Sequence, residues 1–126
     1  MIGIDVDADA LTSARENVDL NGAAAAVELR SVDLADASGQ LGGSFDLVLA
    51  NLTGAVLERY ASALASLVSP GGSLIVSGFQ IGEDGDVLRA FENAGFTEPE
   101  VADEDGWVAL RLSRPKPQDS SPKPAI

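Results

Sequence analysis

Short apolar runs alternate with segments of helical periodicity along this chain, and that order constrains the fold more than any other feature. The runs predict strands at 2–6, 27–31, 45–50 and 73–77. The run at 45–50 is continuously apolar, which is typical of a strand that is buried on both sides. Strands that alternate with helices are typical of an α/β protein whose parallel sheet is covered on both faces.

Local signals place the helices and turns between these strands. Asp7 or Asp9 is expected to cap a first helix that ends at Asn21-Gly22. Further helices are predicted over 56–67, where a turn at 70–72 follows, and over 84–94.

The remaining segments complete the predicted sheet. The polar, Gly-rich stretch 36–44 is predicted to be a loop. Strands at 96–101 and 107–112 flank the acidic turn 103–106 and are expected to pair as an antiparallel hairpin. The sequence therefore predicts a mostly parallel sheet that closes with an antiparallel hairpin.

Composition removes several function classes. The 126 residues include no cysteine and no histidine, which excludes disulfides, thiolate nucleophiles and Ser-His-Asp triads. Twenty acidic against eight basic residues give a formal charge of −12. Such a surface repels nucleic acid and attracts a cationic ligand or a protein that presents amines.

The chain also shows no targeting signal and one candidate tail. No run approaches the length of a membrane helix, and no signal-peptide pattern is present, so we expect a cytoplasmic protein without membrane contact. Residues 114–126 are rich in proline and polar side chains, and we expect them to form a disordered tail. Residues 1–113 are then the single folded domain.

Polar side chains stand at the ends of three predicted parallel strands, namely Asp5, Asp33 and Asn51. Because the carboxyl ends of parallel strands lie side by side, we expect these residues to line one crevice. An acid at such a strand end accepts hydrogen bonds from both ribose hydroxyls of a nucleoside cofactor. The alternative for each residue is an ordinary capping or loop role.

The acidic segment 5–16 also resembles two kinds of metal site. Five residues occupy ligand positions of a calcium-binding loop: Asp5, Asp7, Asp9, Ser13 and Glu16. That match fails at Ala10, where the loop requires glycine. A magnesium-dependent phosphoryl site would need a lysine in the folded part, and both lysines, Lys116 and Lys123, lie in the predicted tail. We therefore predict no metal.

Several segments together resemble a known family. The segments Ile2-Gly3-Ile4-Asp5-Val6-Asp7, Ala14-Arg15-Glu16-Asn17 and Asn21-Gly22 resemble the second strand and helix of class I S-adenosylmethionine-dependent methyltransferases. Similarity to the PrmA family, which methylates amines of a ribosomal protein, rests on 45–52, 70–72, 74–78, 94–96 and 107–110. It covers nearly all of 2–112.

The resemblance implies a Rossmann-like methyltransferase fold, S-adenosylmethionine as cofactor and a ribosomal protein as acceptor. By position, Asp5 would bind the ribose hydroxyls, Asp33 and Leu34 would lie at the adenine, and Asn51 would be the catalytic residue beside the methyl group. It also implies that the chain corresponds to the C-terminal part of such proteins, without their first strand and Gly-rich loop. In the family, that first strand lies between the strands equivalent to 2–6 and 45–50. Without it, we expect that these two strands pair directly, that a partner fills the gap, or that the protein is marginally stable alone.

Two other functions stay open. A non-catalytic remnant of the methyltransferase fold would serve as a binding module. A nicotinamide-binding half-domain would need the same Gly-rich loop to hold its pyrophosphate.

Overall fold

The computed structural model describes residues 1–41 and 43–116 and divides into two compact units. We call Met1–Gly42 the N-terminal unit and Gly43–Ile126 the C-terminal unit. The predicted class is confirmed, because parallel strand pairs occur together with a C-terminal antiparallel hairpin. The predicted tail falls outside the described residues from position 117 onward.

The N-terminal unit is a strand, a helix and a second strand followed by two short helical turns. Its elements are β1 (Ile2–Asp5), α1 (Ala8–Leu20), β2 (Glu28–Ser31), a 3₁₀ turn (Leu34–Asp36) and α2 (Ala37–Gln40). Strands β1 and β2 pair in parallel, from Ile2 opposite Glu28 to Asp5 opposite Ser31. Helix α1 begins where Asp7 Oδ1 accepts a hydrogen bond from the Asp9 amide at 2.9 Å.

The prediction that 36–44 is a loop is wrong in its first half, where α2 forms. Asp33 starts this helical stretch by accepting a hydrogen bond from the Ala35 amide at 3.0 Å. Ala37 is fully buried. Burial of this small side chain favours a compact helical turn that composition alone does not indicate.

Over residues 43–116, the C-terminal unit combines three helices with a four-stranded sheet. Its elements are β3 (Phe45–Asn51), α3 (Gly54–Arg59), α4 (Ala61–Leu67), β4 (Val68–Gln80), α5 (Asp84–Asn93), β5 (Thr97–Glu104) and β6 (Trp107–Ser113). The strand order is β3-β4-β6-β5. Strands β3 and β4 are parallel, and the other two pairs are antiparallel.

The core of this unit lies between its helices and one face of the sheet. Buried helix residues include Leu57, Leu64 and Phe91, and buried strand residues on the facing side are Leu74, Val76, Val108, Leu110 and Leu112. The Phe91 and Phe96 rings meet edge to face with their centroids 5.8 Å apart.

Two boundary predictions in this unit are wrong. The helix expected over 56–67 is divided at Tyr60, whose φ of −106° and ψ of 17° depart from helical values. The expected turn at 70–72 lies inside β4 as a bulge between Val68 and Ser73. Two backbone hydrogen bonds with Arg114, which follows β6, stabilise this bulge. The Gly71 amide donates to the Arg114 carbonyl, and the Arg114 amide donates to the Gly72 carbonyl.

The expectation that 45–50 is a buried strand is also wrong. Leu47 and Leu49 on β3 are 56 % and 65 % exposed, and Trp107 on β6 is 54 % exposed. Strand β3 is an edge strand that pairs with β4 alone among the described residues. Apolar composition does not reveal which face of a strand receives a covering layer.

Strand β1 belongs to the two-stranded sheet of the N-terminal unit, and β3 belongs to the four-stranded sheet of the C-terminal unit. The described part of the chain contains no helix that is long and apolar enough to span a bilayer.

Candidate functional site

The N-terminal unit brings two of the predicted site residues together. Asp5 ends β1, and Asp33 lies two residues beyond the end of β2. These strands are parallel and adjacent, and the Val32 amide donates to the Asp5 carbonyl at 3.2 Å. Asp5 and Asp33 are both exposed. Two carboxylates therefore stand at the carboxyl edge of one parallel strand pair, as the sequence predicts.

The Asp5 carboxylate also shapes the loop that follows it. Asp5 Oδ1 accepts a hydrogen bond from the Asp7 amide at 2.9 Å. The Asp5 side chain is exposed. An exposed carboxylate that has one oxygen hydrogen-bonded to the backbone is oriented and can still accept a hydroxyl hydrogen bond.

Asp33 has the same arrangement at the next strand end. Its Oδ1 accepts from the Ala35 amide and begins the 3₁₀ turn, of which Leu34 is the first residue. Leu34 is half-buried. An acidic side chain and an apolar side chain are thus adjacent at this end of β2, which suits a flat heterocycle with polar edges.

Asn51 ends β3 in the C-terminal unit. It stands opposite Ser77 of β4, and the next amide, of Leu52, donates to the Ser77 carbonyl at 2.9 Å. Asn51 is exposed, and its side-chain oxygen lies against Gly78. The end of β3 therefore presents an exposed amide group beside the Gly78 backbone.

Asp5, Asp33 and Leu34 lie in one unit and Asn51 lies in the other. The structure shows the first three as neighbours along β1 and β2. That Asn51 shares a crevice with them stays a prediction.

Sequence reasoning missed two glycines, Gly78 and Gly54, that leave room for neighbouring atoms next to the end of β3. Gly78 has φ of +97°, a conformation that L side chains rarely adopt. The Glu83 carboxylate lies against Gly54, at the start of α3. Both glycines accommodate close neighbours at the segment after Asn51, and a glycine that directly follows a strand run is a signal that could have located Gly78.

The calcium alternative is not supported by the arrangement of its proposed ligands. Asp5 and Asp7 each use an oxygen to bind a backbone amide. Among residues 1–41 and 43–116, no group of three or more acidic side chains is placed to hold a metal ion.

Comparison with solved structures first shows the class of protein to which this fold belongs. The structure matches a ribosomal protein L11 methylase from Lactobacillus delbrueckii subsp. bulgaricus with a TM-score of 0.80 and 25 % identity, over 90 % of this chain and 57 % of that one. It also matches an RNA methyltransferase from Salinibacter ruber, solved with S-adenosyl-L-homocysteine, with a TM-score of 0.65 and 26 % identity, over 94 % of this chain and 69 % of that one. The fold is that of S-adenosylmethionine-dependent methyltransferases.

The sequence then gives the family. The family model described as ribosomal protein L11 methyltransferase (PrmA) matches residues 1–115. The L11 methyltransferase of Geobacter metallireducens is 40 % identical over 110 residues, which are 87 % of this chain and 35 % of that protein. The chain belongs to the PrmA family and spans about a third of the length of this relative.

Proposed function

We propose that this chain is part of an S-adenosylmethionine-dependent N-methyltransferase that acts on amines of a ribosomal protein. The observation that carries the proposal is the pair of exposed carboxylates, Asp5 and Asp33, at adjacent strand ends in a chain of the PrmA family. The relatives are named for ribosomal protein L11, so a protein of that kind is the proposed acceptor. The reaction then belongs in the cytoplasm and needs neither nucleic acid nor membrane.

Asp5 is assigned to the ribose hydroxyls. The hydrogen bond from the Asp7 amide orients its carboxylate, and the second oxygen accepts from the sugar. Asp33 and the half-buried Leu34 are assigned to the adenine, where an acceptor and an apolar surface are needed.

Asn51 is assigned to the incoming amine. When bound, the cofactor would supply the methyl carbon of a sulfonium, to which the nitrogen of a neutral amine bonds as the carbon–sulfur bond breaks and the thioether leaves. A lysine amine with an ordinary pKa near 10.4 must first lose its proton, and a desolvated pocket favours that loss. The Asn51 side-chain oxygen is expected to contribute by positioning the amine.

The charge of the chain supports this assignment. A formal charge of −12 attracts both the sulfonium cofactor and a basic acceptor protein. Association of either one is therefore expected to weaken as salt is raised.

Calorimetry with S-adenosyl-L-homocysteine tests the cofactor site directly in the full chain. Asp5→Ala is expected to abolish measurable binding. Asp5→Asn, which keeps an oxygen for the Asp7 amide, is expected to weaken binding about 10- to 100-fold, the value of a charged hydrogen bond. Asp9→Asn is the matched control, because Asp9 is an exposed acid of α1 with no assigned role. Unchanged affinity in both Asp5 variants would reject the assignment.

A second candidate is a non-catalytic binding module of the methyltransferase fold. It is favoured by the exposed leucines of β3, Leu47 and Leu49. This candidate predicts no heat of binding with either S-adenosylmethionine or S-adenosyl-L-homocysteine. Transfer of a labelled methyl group to ribosomal protein L11 by the chain would exclude it.

A further inference from the structure

The carboxylate of Glu83 lies beside α3, although Glu83 itself directly precedes α5. It stands at the capping position of α5, but its side chain accepts no hydrogen bond from that helix. The carboxylate lies instead against Gly54, the buried first residue of α3. A β-carbon at position 54 would occupy the place of a Glu83 oxygen. The absence of a side chain at Gly54 therefore leaves room for this carboxylate.

Two hydrogen bonds fix the loop that joins β4 to α5 and carries Glu83. The Ile81 amide donates to the Gly106 carbonyl at 2.9 Å, which ties the loop to the turn before β6. The Gly82 amide donates to Asp84 Oδ1 at 2.9 Å. A side chain on a loop that is held in this way keeps its position, as a group that recognises a ligand requires.

Glu83 and Asn51 lie at the same edge of the four-stranded sheet. Strands β3 and β4 are parallel, so their carboxyl ends, at Asn51 and Gln80, meet at one edge. Asn51 precedes Gly54 by three residues, so the α-carbons of these two residues are at most about 11 Å apart. The Asn51 amide and the Glu83 carboxylate therefore border the same short segment, 51–54.

The charge of Glu83 has no basic partner in the part of the chain that the structure describes. The ion pairs there are Glu28–Arg30 and Asp86–Arg89. A carboxylate without a basic partner can form a charged hydrogen bond with a cationic group of a ligand.

From this placement we infer that Glu83 is a specificity-determining residue that captures the acceptor amine in its ammonium form. The inference rests on the proposed methyl transfer to amines. An amine with an ordinary pKa near 10.4 arrives protonated at neutral pH, and a carboxylate stabilises that cation. The displacement needs the neutral nitrogen, so Glu83 is assigned to the capture of the acceptor and Asn51 to the reacting amine. Glu83 is then expected to select an ammonium group over a neutral group.

Nuclear magnetic resonance titration of the full chain tests this capture without cofactor. One probe is N-acetyl-lysine methylamide, which carries an ammonium group. The other is the same compound acetylated at its side-chain nitrogen, which removes the charge. The ammonium probe alone is expected to shift the amide signals of Gly54, Gly82 and Glu83. Equal shifts of these signals by the neutral probe would overturn the inference.

A pair of variants identifies the carboxylate that binds. Glu83→Gln keeps the shape of the side chain and removes its charge, so it is expected to weaken binding of the ammonium probe about two- to fivefold, the value of an exposed ion pair. Glu92→Gln is the matched control, because Glu92 is an exposed acid about 13 Å further along α5. At an ionic strength of about 0.15 M this distance exceeds the screening length of about 8 Å, so the control is expected to keep the parent affinity.

A second pair of variants tests the place of the carboxylate. In Gly54→Ala the added β-carbon displaces the Glu83 carboxylate, so binding is expected to weaken by a factor similar to that of Glu83→Gln. Gly85→Ala is the control, because a β-carbon there meets open space.

The result expected is weaker binding in Glu83→Gln and Gly54→Ala with both controls unchanged, while circular dichroism stays that of the parent. Parent affinity in Glu83→Gln, or equal weakening in Glu92→Gln, would overturn the inference. The cofactor site is tested separately by calorimetry of the Asp5 variants, so failure of the capture and failure of the proposed methyl transfer are distinguishable.

Discussion

The side-chain oxygen of Asn51 lies so near the α-carbon of Gly78 that a β-carbon at position 78 would come within 2.5 Å of it. The same β-carbon would lie 2.7 Å from the Leu52 carbonyl oxygen. Both distances are shorter than atoms tolerate. Gly78 therefore sets where the amide of the proposed catalytic residue can lie.

Gly78→Ala is expected to destabilise the chain more than Gly82→Ala. Gly82 has a similar φ, +105° against +97°, but open space where the β-carbon would be placed. The backbone strain, about 1–2 kcal/mol, is common to both variants, and only Gly78→Ala adds a clash. Urea denaturation measures the difference, expected to be at least about 1 kcal/mol. Equal losses would show that Asn51 and Leu52 move away freely.

Arg114→Met is expected to lower the free energy of unfolding by about 1–3 kcal/mol. Arg114 Nη1 donates to the Ala65 carbonyl at 2.7 Å and also to the Val68 carbonyl, at the C-terminal end of α4. A cation is favourable at that end of a helix. Arg89→Met is the control, since Arg89 is 74 % exposed and its ion pair with Asp86 is long, at 3.6 Å. Its loss is expected to stay below about 0.5 kcal/mol.

Gly106→Ala is expected to destabilise the hairpin of β5 and β6 by about 1–2 kcal/mol. Asp105 and Gly106 have φ of 53° and 84°, the pattern of a two-residue Asp-Gly turn. Gly85→Ala in α5 is the matched control, because it meets open space without the positive φ. It is expected to be neutral or stabilising by up to about 1 kcal/mol. Thermal unfolding distinguishes the two, and a stabilising Gly106→Ala would contradict the turn geometry.

Arg30→Gln is expected to raise the pKa of Glu28. The Arg30 side chain holds the pKa of the Glu28 carboxyl below its ordinary value, first by a hydrogen bond and then by Coulombic attraction. A lowered pKa stabilises the fold above the ordinary value, and that contribution is lost as the pH falls through the lowered one. Carboxyl NMR titration measures the change. Arg15→Gln is the control and is expected to leave the Glu28 pKa as it was.

The residues whose structure follows from local signals were predicted correctly. Asp7 caps α1, and the acidic turn before Trp107 joins an antiparallel hairpin. The methyltransferase fold and the PrmA family were also predicted correctly, since they depend on patterns within continuous segments. The roles of Asp5, Asp33, Leu34 and Asn51 stay predictions, although the adjacency of the first two is confirmed.

The wrong predictions concern positions whose structure depends on segments that are distant in the sequence. The sequence at 70–72 has the composition of a turn, but its hydrogen bonds with Arg114 keep it within β4. Leu49 has the composition of a buried strand residue, but β3 is an edge strand with one face exposed.

The sequence by itself determined the α/β class, the capped first helix, the hairpin and the placement of polar residues at strand ends. These depend on periodicity, capping preference and turn chemistry, which act between residues a few positions apart. Tertiary structure alone decided the division into two units, the close approach of Asn51 to Gly78 and the inclusion of 70–72 in β4. Each of these depends on which segments meet in space. The composition of a strand does not show which neighbouring strand will pair with it.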